Sequence, residues 1–222
     1  RKLTIKGAAF ILGLTGLASN ILGLYRERMI AGEFGAGHLT DVFYASFRLP
    51  DLIFNLLILG ALSSAFIPIF VEKLTEGKKR EAEKIANSFM NFILLATFLF
   101  SAIIFILAPK LVPFLLPGFF NRPMTDNFDI YQTTVNMTRL LLVSPILFSI
   151  SGVIGGILNS HKRFVSYAIA PLIYNISIML SIIFLTDYFD PPIYGLGVGV
   201  LIGAFLYLLI QIPSVFLTGY RW

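Results

Sequence analysis

Seven ionisable side chains lie in or beside long apolar stretches: Arg26, Glu27, Arg28, Asp41, Arg48, Asp51 and Arg139. Burying a charge in lipid is costly, so such groups are functional candidates by default. A guanidinium stays charged and can grip phosphate oxygens through two parallel hydrogen bonds. Several arginines facing a water-filled cavity would therefore suit a phosphate-bearing substrate. A structural reading stands beside each functional one. Arg26, Glu27 and Arg28 could simply end the first apolar segment at the interface, where long basic side chains snorkel. Asp41 could cap the next helix, together with Thr40. Arg48 and Asp51, three apart, share a helical face and could pair, although Pro50 lies between them. Arg139 precedes Pro145 by about a turn and a half and could face a cavity or the outer interface. Asn20, Asn55, Asn175 and Gln211 read first as hydrogen-bond links between helices.

Other chemistry finds no support. There is no cysteine, and the two histidines, His38 and His161, are far apart in sequence. No carboxylate pair is spaced for hydrolysis, no glycine loop with a lysine cradles phosphate, and no metal-ligand spacing occurs. The expectation is a non-enzyme without cofactor or metal. No basic patch is interleaved with aromatics, which argues against nucleic acid as a partner.

These side chains must be positioned by membrane helices. The chain has 222 residues, 57% hydrophobic and 13% charged, with mean hydropathy +0.84. Soluble domains carry about 25% charged residues, so the composition is that of an all-α polytopic membrane protein. Six apolar segments fall at about 3–25, 39–71, 85–108, 131–158, 164–185 and 193–217, leaving 218–222 as the start of a linker or a next helix. Five resemble ordinary spans of about 20 residues. The second is broken by Asp41, Arg48, Pro50, Asp51, Asn55, Gly60 and Pro68. Pro50 and Gly60 should kink or unwind it, as suits a helix bent around a polar cavity. The stretch 26–38 reads as a polar link, and 72–84 as a solvated loop and helix start. Pro109, Pro113, Pro117 and Pro123 argue against a long regular helix after the third segment. With the N-terminus in the cytoplasm, eleven Lys and Arg fall on that side and four on the other, so both ends are expected to be cytoplasmic. The run Lys78-Lys79-Arg80 serves that bias, with anionic lipid contact as a second role.

Ordered motifs along the chain carry a resemblance. Ser19 to Glu27 (SNILGLYRE), Phe34-Gly35-Ala36-Gly37, Thr40-Asp41 and Phe47-Arg48-Leu49-Pro50-Asp51 are similar to the start of the MurJ/MviN lipid II flippases. Gly60-Ala61, Ser63, Ala65-Phe66, Pro68, Pro117-Gly118-Phe119, Gly156 to Asn159, Arg163-Phe164, Ala170-Pro171, Asn175-Ile176-Ser177 and Gln211-Ile212-Pro213 continue it. The resemblance implies one six-helix lobe, residues 1–217, of a MATE-like exporter of the multidrug/oligosaccharidyl-lipid/polysaccharide superfamily. It implies alternating-access transport of an undecaprenyl-pyrophosphate-linked saccharide-peptide across the bacterial cytoplasmic membrane. A missing C-terminal lobe or second subunit would complete the cavity, with membrane lipids around it. Arg26 and Asp41 match the family's cavity arginine and aspartate, and Arg48 a basic position before the Leu-Pro pair. Glu27, Arg28, Asn20 and Arg139 are further cavity candidates. Three departures stand out: Asn20 and Phe54 replace arginines, and Leu59 replaces an acidic residue. They leave room for other readings, a non-transporting scaffold lobe or an exporter of another polyprenyl-linked saccharide or drug.

Overall fold

The protein is seen in a computed structural model that describes residues 5–117 and 129–220. Gly118 and Phe119 of the Pro-Gly-Phe motif, Arg122 and Pro123 lie outside the described residues, as does the side chain of Leu59.

The first helix, α1 (Ile5–Phe34), is longer than the sequence pattern implies. Arg26, Glu27 and Arg28 do not end it. No proline interrupts this stretch, and the stop comes only at Gly35, whose φ of +67° is left-handed. Glycine adopts that conformation without the Cβ penalty and so ends helices. The Gly35 N–H bonds Ala31 O at 3.0 Å, and Thr40 Oγ1 donates to Gly35 O at 2.7 Å.

The broken segment comprises α2 (His38–Ser46), α3 (Arg48–Ile53), two π-helical stretches (Phe54–Gly60 and Leu62–Phe66) and α4 (Ile67–Thr75). Wide π turns inside a helix often mark functional sites. Gly37 occupies the cap of α2, so Asp41 sits one turn inside the helix and is not its N-cap. A turn at Gly77, with φ +75°, leads to α5 (Lys79–Leu115). This helix includes Pro109 and Pro113, where the sequence pattern implies an interruption. Side chains from the next helix make that passage tolerable, as described below.

Asp129 caps α6 (Ile130–Leu141), accepting a bond from the Gln132 N–H at 3.0 Å. After a break at Leu142, α7 (Val143–Ser160) follows directly. Pro145 cannot bond back to Leu141 O, which instead accepts Ser144 Oγ at 2.7 Å. Then follow α8 (Phe164–Phe184), α9 (Ile193–Leu209) and α10 (Ile212–Phe216). Glycines let α9 lie close on its neighbours. Gly199 packs on Ser181, its carbonyl accepting Ser177 Oγ at 3.1 Å, and Gly203 packs on Tyr174. Small residues permit this approach between membrane helices.

Among the described residues, four helical stretches are long and apolar enough to cross a membrane: Lys79–Leu115, Ile130–Ser160, Phe164–Phe184 and Ile193–Phe216. The broken second segment is divided into helical stretches of nine residues or fewer and is not among them. The exterior is apolar. Phe92, Leu95, Phe98, Ile103 and Ile106 of α5 are all exposed, as a lipid-facing helix requires. Three interior clusters hold the bundle. One packs Phe66 and Phe70 on Met90 and Ile157, one packs Ile30 and Phe43 on Met137 and Ile178, and one packs Leu49 and Ile53 on Ile104 and Val135.

Candidate functional site

Arg26 lies within α1 and reaches toward α8. Its Nη1 donates to Asn175 Oδ1 at 2.9 Å, and its Nε donates to Glu27 Oε1 at 3.1 Å. Nη2 completes a fork on the same carboxylate. Three of the guanidinium's five N–H groups are used in this way. Asn175 is held in turn, donating to Ser19 O and Ser19 Oγ at 3.3 Å and to Pro171 O at 3.1 Å. On the other side, Tyr44 of α2 donates its hydroxyl to Glu27 Oε2. A polar chain thus runs from Ser19 through Asn175, Arg26 and Glu27 to Tyr44, tying α1, α2 and α8 together.

Two cavities meet at Arg26. The larger, ≈ 830 Å³, is lined by Asn20, Arg26, Glu27, Phe54, Tyr174 and Asn175, among others. Its wall includes an aromatic cluster in which Phe148 meets Phe54, Tyr174 and Tyr207 edge to face, at centroid distances of 5.7, 5.6 and 5.5 Å. Edge-to-face contact is the favoured arrangement for such rings. The smaller cavity, ≈ 370 Å³, is lined by Arg26, Glu27, Tyr44, Arg48, Asp51 and Tyr174. Both Arg26 and Glu27 remain partly open, at 25% and 39% side-chain exposure. The arrangement offers a fixed cation, already held by a carboxylate, between a mostly apolar chamber and a small polar one. Among the described residues no cluster of His, Asp and Glu could hold a metal ion.

The sequence candidates separate clearly. Arg26, Glu27, Asn20, Arg48 and Asp51 come together around these cavities. Arg28 and Asp41 are exposed and line neither. Arg139 turns to α5, donating from Nε to Phe105 O at 3.0 Å, with its guanidinium 5.0 Å from the Phe105 ring centroid. Of the amides, Asn175 does link two helices. Asn55 and Gln211 each bond a carbonyl four residues back in the chain, Asp51 O and Tyr207 O. Tyr44 was not singled out from sequence. The available signal was a polar stripe, Tyr44, Arg48 and Asp51, at helical spacing i, i+4, i+7.

Comparison with known proteins decides the family. The sequence pattern described as "Lipid II flippase MurJ" matches residues 30–222. This chain belongs to the MurJ family. It is 30% identical over 217 residues to the probable lipid II flippase MurJ of Buchnera aphidicola subsp. Acyrthosiphon pisum, covering 95% of this chain and 42% of that protein. The lipid II flippase MurJ of Burkholderia cenocepacia is 30% identical over 200 residues, covering 90% of this chain and 38% of that protein. A solved lipid II flippase MurJ, in an inward closed conformation, superposes with TM-score 0.74 at 23% identity, over 96% of this chain and 43% of that one. The chain therefore has the MurJ fold and spans about two-fifths of the length of these relatives. Within this family member, Asn20 and Phe54 both line the larger cavity.

Proposed function

We propose that this chain forms the N-terminal lobe of a flippase that carries an undecaprenyl-pyrophosphate-linked peptidoglycan precursor, lipid II, across the bacterial cytoplasmic membrane. The observation that carries this reading is Arg26, a partly open guanidinium at the wall shared by two cavities, braced by Asn175 and Glu27. In the unloaded state Glu27 neutralises Arg26. A pyrophosphate would take Glu27's place on part of the fork, so the Arg26 guanidinium keeps an anionic partner throughout. Tyr44 would hold the carboxylate meanwhile. Arg48 would add a second cation from the smaller cavity, and Asn20 a neutral hydrogen-bonding group in the larger one. The apolar and aromatic wall formed by Phe54, Phe148, Tyr174 and Tyr207 suits the lipid-proximal part of such a substrate.

In this proposal α1 and the broken element are also crossings, making six in a MATE-like lobe over residues 1–217. Both ends are cytoplasmic, supported by the bias of Lys and Arg to that side. Alternating access needs two lobes rocking about a site, and the greater length of the relatives leaves room for the second.

The test is growth of a flippase-depleted bacterium carrying the full reading frame that contains this chain. Wild type is expected to rescue growth, and Arg26→Ala to fail while still reaching the membrane. Rescue indifferent to Arg26 would remove the anion-holding role.

A further inference from the structure

Prolines inside a membrane helix create a specific debt of hydrogen bonds. In an α-helix each carbonyl accepts from the N–H four residues on, and proline has none. Pro109 therefore leaves Phe105 O without its helical partner, and Pro113 leaves Pro109 O without its own. The two carbonyls lie one turn apart on one face of α5. A backbone carbonyl left without a partner away from water costs free energy. Both accept bonds from α6: Phe105 O from Arg139 Nε at 3.0 Å, and Pro109 O from the Tyr131 hydroxyl at 2.8 Å. The pairing is antiparallel, the later α5 carbonyl taking the earlier α6 residue. Arg139 is further fixed by the Phe105 ring, 5.0 Å from its guanidinium carbon, a favourable cation–aromatic distance. Beside it, Ala108 and Val112 pack with Val135 in one apolar cluster, to which Tyr131 also belongs.

We propose that Arg139 and Tyr131 form a clasp for the two proline-orphaned carbonyls, which keeps the end of α5 helical and docked on α6. Arg139 is thus a positioning residue that acts on the backbone of α5 and does not bind substrate. This assignment does not depend on which molecule the cavity carries.

The test is a pair of rescue cycles in the full-length protein, read by thermal unfolding in detergent and by the infrared band of a ¹³C-labelled Phe105 carbonyl. Arg139→Met should lower the unfolding midpoint by several degrees and shift the Phe105 band toward a free carbonyl. Pro109→Ala restores an N–H to Phe105 O, so Arg139→Met should have little effect on either readout in that background. Tyr131→Phe should be rescued in the same way by Pro113→Ala. An equal loss from Arg139→Met with and without Pro109 would overturn the clasp. So would a Phe105 band that ignores Arg139, whether or not the variant is destabilised.

Discussion

Asn175 accepts from Arg26 and donates to Ser19 and Pro171, so removing its amide strands polar groups on two helices. Asn175→Leu is expected to destabilise the protein by roughly 1–3 kcal/mol, the usual penalty for unsatisfied buried partners, seen as a lower unfolding midpoint in detergent. Tyr44→Phe deletes only the hydroxyl that bonds Glu27 and should cost about 1 kcal/mol. An unchanged midpoint in both variants would contradict the polar chain. At this scale the sequence was informative about charge and less so about partners. Arg26, Glu27, Arg48 and Asp51 stand out because ionisable groups are rare in apolar stretches. Tyr44 does not, because a tyrosine in a membrane helix is ordinary until a carboxylate is found within its reach. Arg139 has the same composition signal as Arg26, yet its partner is a carbonyl that only the neighbouring helix's prolines make available.

Among the elements, glycine positions on α9 differ sharply from those on α1. A Cβ at Gly195 would lie 2.7 Å from Leu185 O and 2.8 Å from Thr186 Cα, both backbone atoms that cannot swing aside. Gly13 and Gly16 have open space around them. Gly195→Ala is expected to destabilise by roughly 1–3 kcal/mol, as overpacking does, while Gly13→Ala stays near neutral. Thermal unfolding of the two variants side by side distinguishes them, and equal midpoints would refute the close packing of α9. The two π-helical stretches make a second element-level prediction. Their backbone amides, 54–66, should exchange hydrogen faster than those in the middle of α5, because irregular turns open locally at lower free energy. The break in this segment was legible from Pro50, Gly60 and the polar residues around them. The extent of α1 and α5 was not. A charged stretch looks like a link until its partners on α2 and α8 are seen, and prolines look like stops until α6 is seen to take up the freed carbonyls.

Over the whole molecule, the segment after α10 folds back onto the start of α5. Tyr220 is buried, joins the cluster of Phe70 and Ala82, and donates its hydroxyl to Asn87. Burial first, and then the nearby Glu83 carboxylate, push its pKa up to about 12. An acid whose folded pKa is raised stabilises the fold below its unfolded value, near 10, and loses that contribution as pH rises toward 12. Wild type should therefore be more stable than Tyr220→Phe by about 1 kcal/mol at pH 8, with the difference fading between about pH 10 and 12. A difference that grows with pH would have the wrong sign. The composition alone established a helical membrane protein, and ordered motifs pointed to the family. The number of crossings was harder to read, because the second segment is divided into short helical stretches, none of them long enough to span alone.

The central claim is that Arg26 holds the anionic part of a lipid-linked substrate. The most direct measurement is binding of a polyprenyl-pyrophosphate-linked saccharide to the full-length protein in nanodiscs, comparing wild type with Arg26→Gln. The expected result is at least a tenfold weaker affinity, about 1.4 kcal/mol, with folding and membrane insertion intact. Equal affinity in the two proteins would contradict the account.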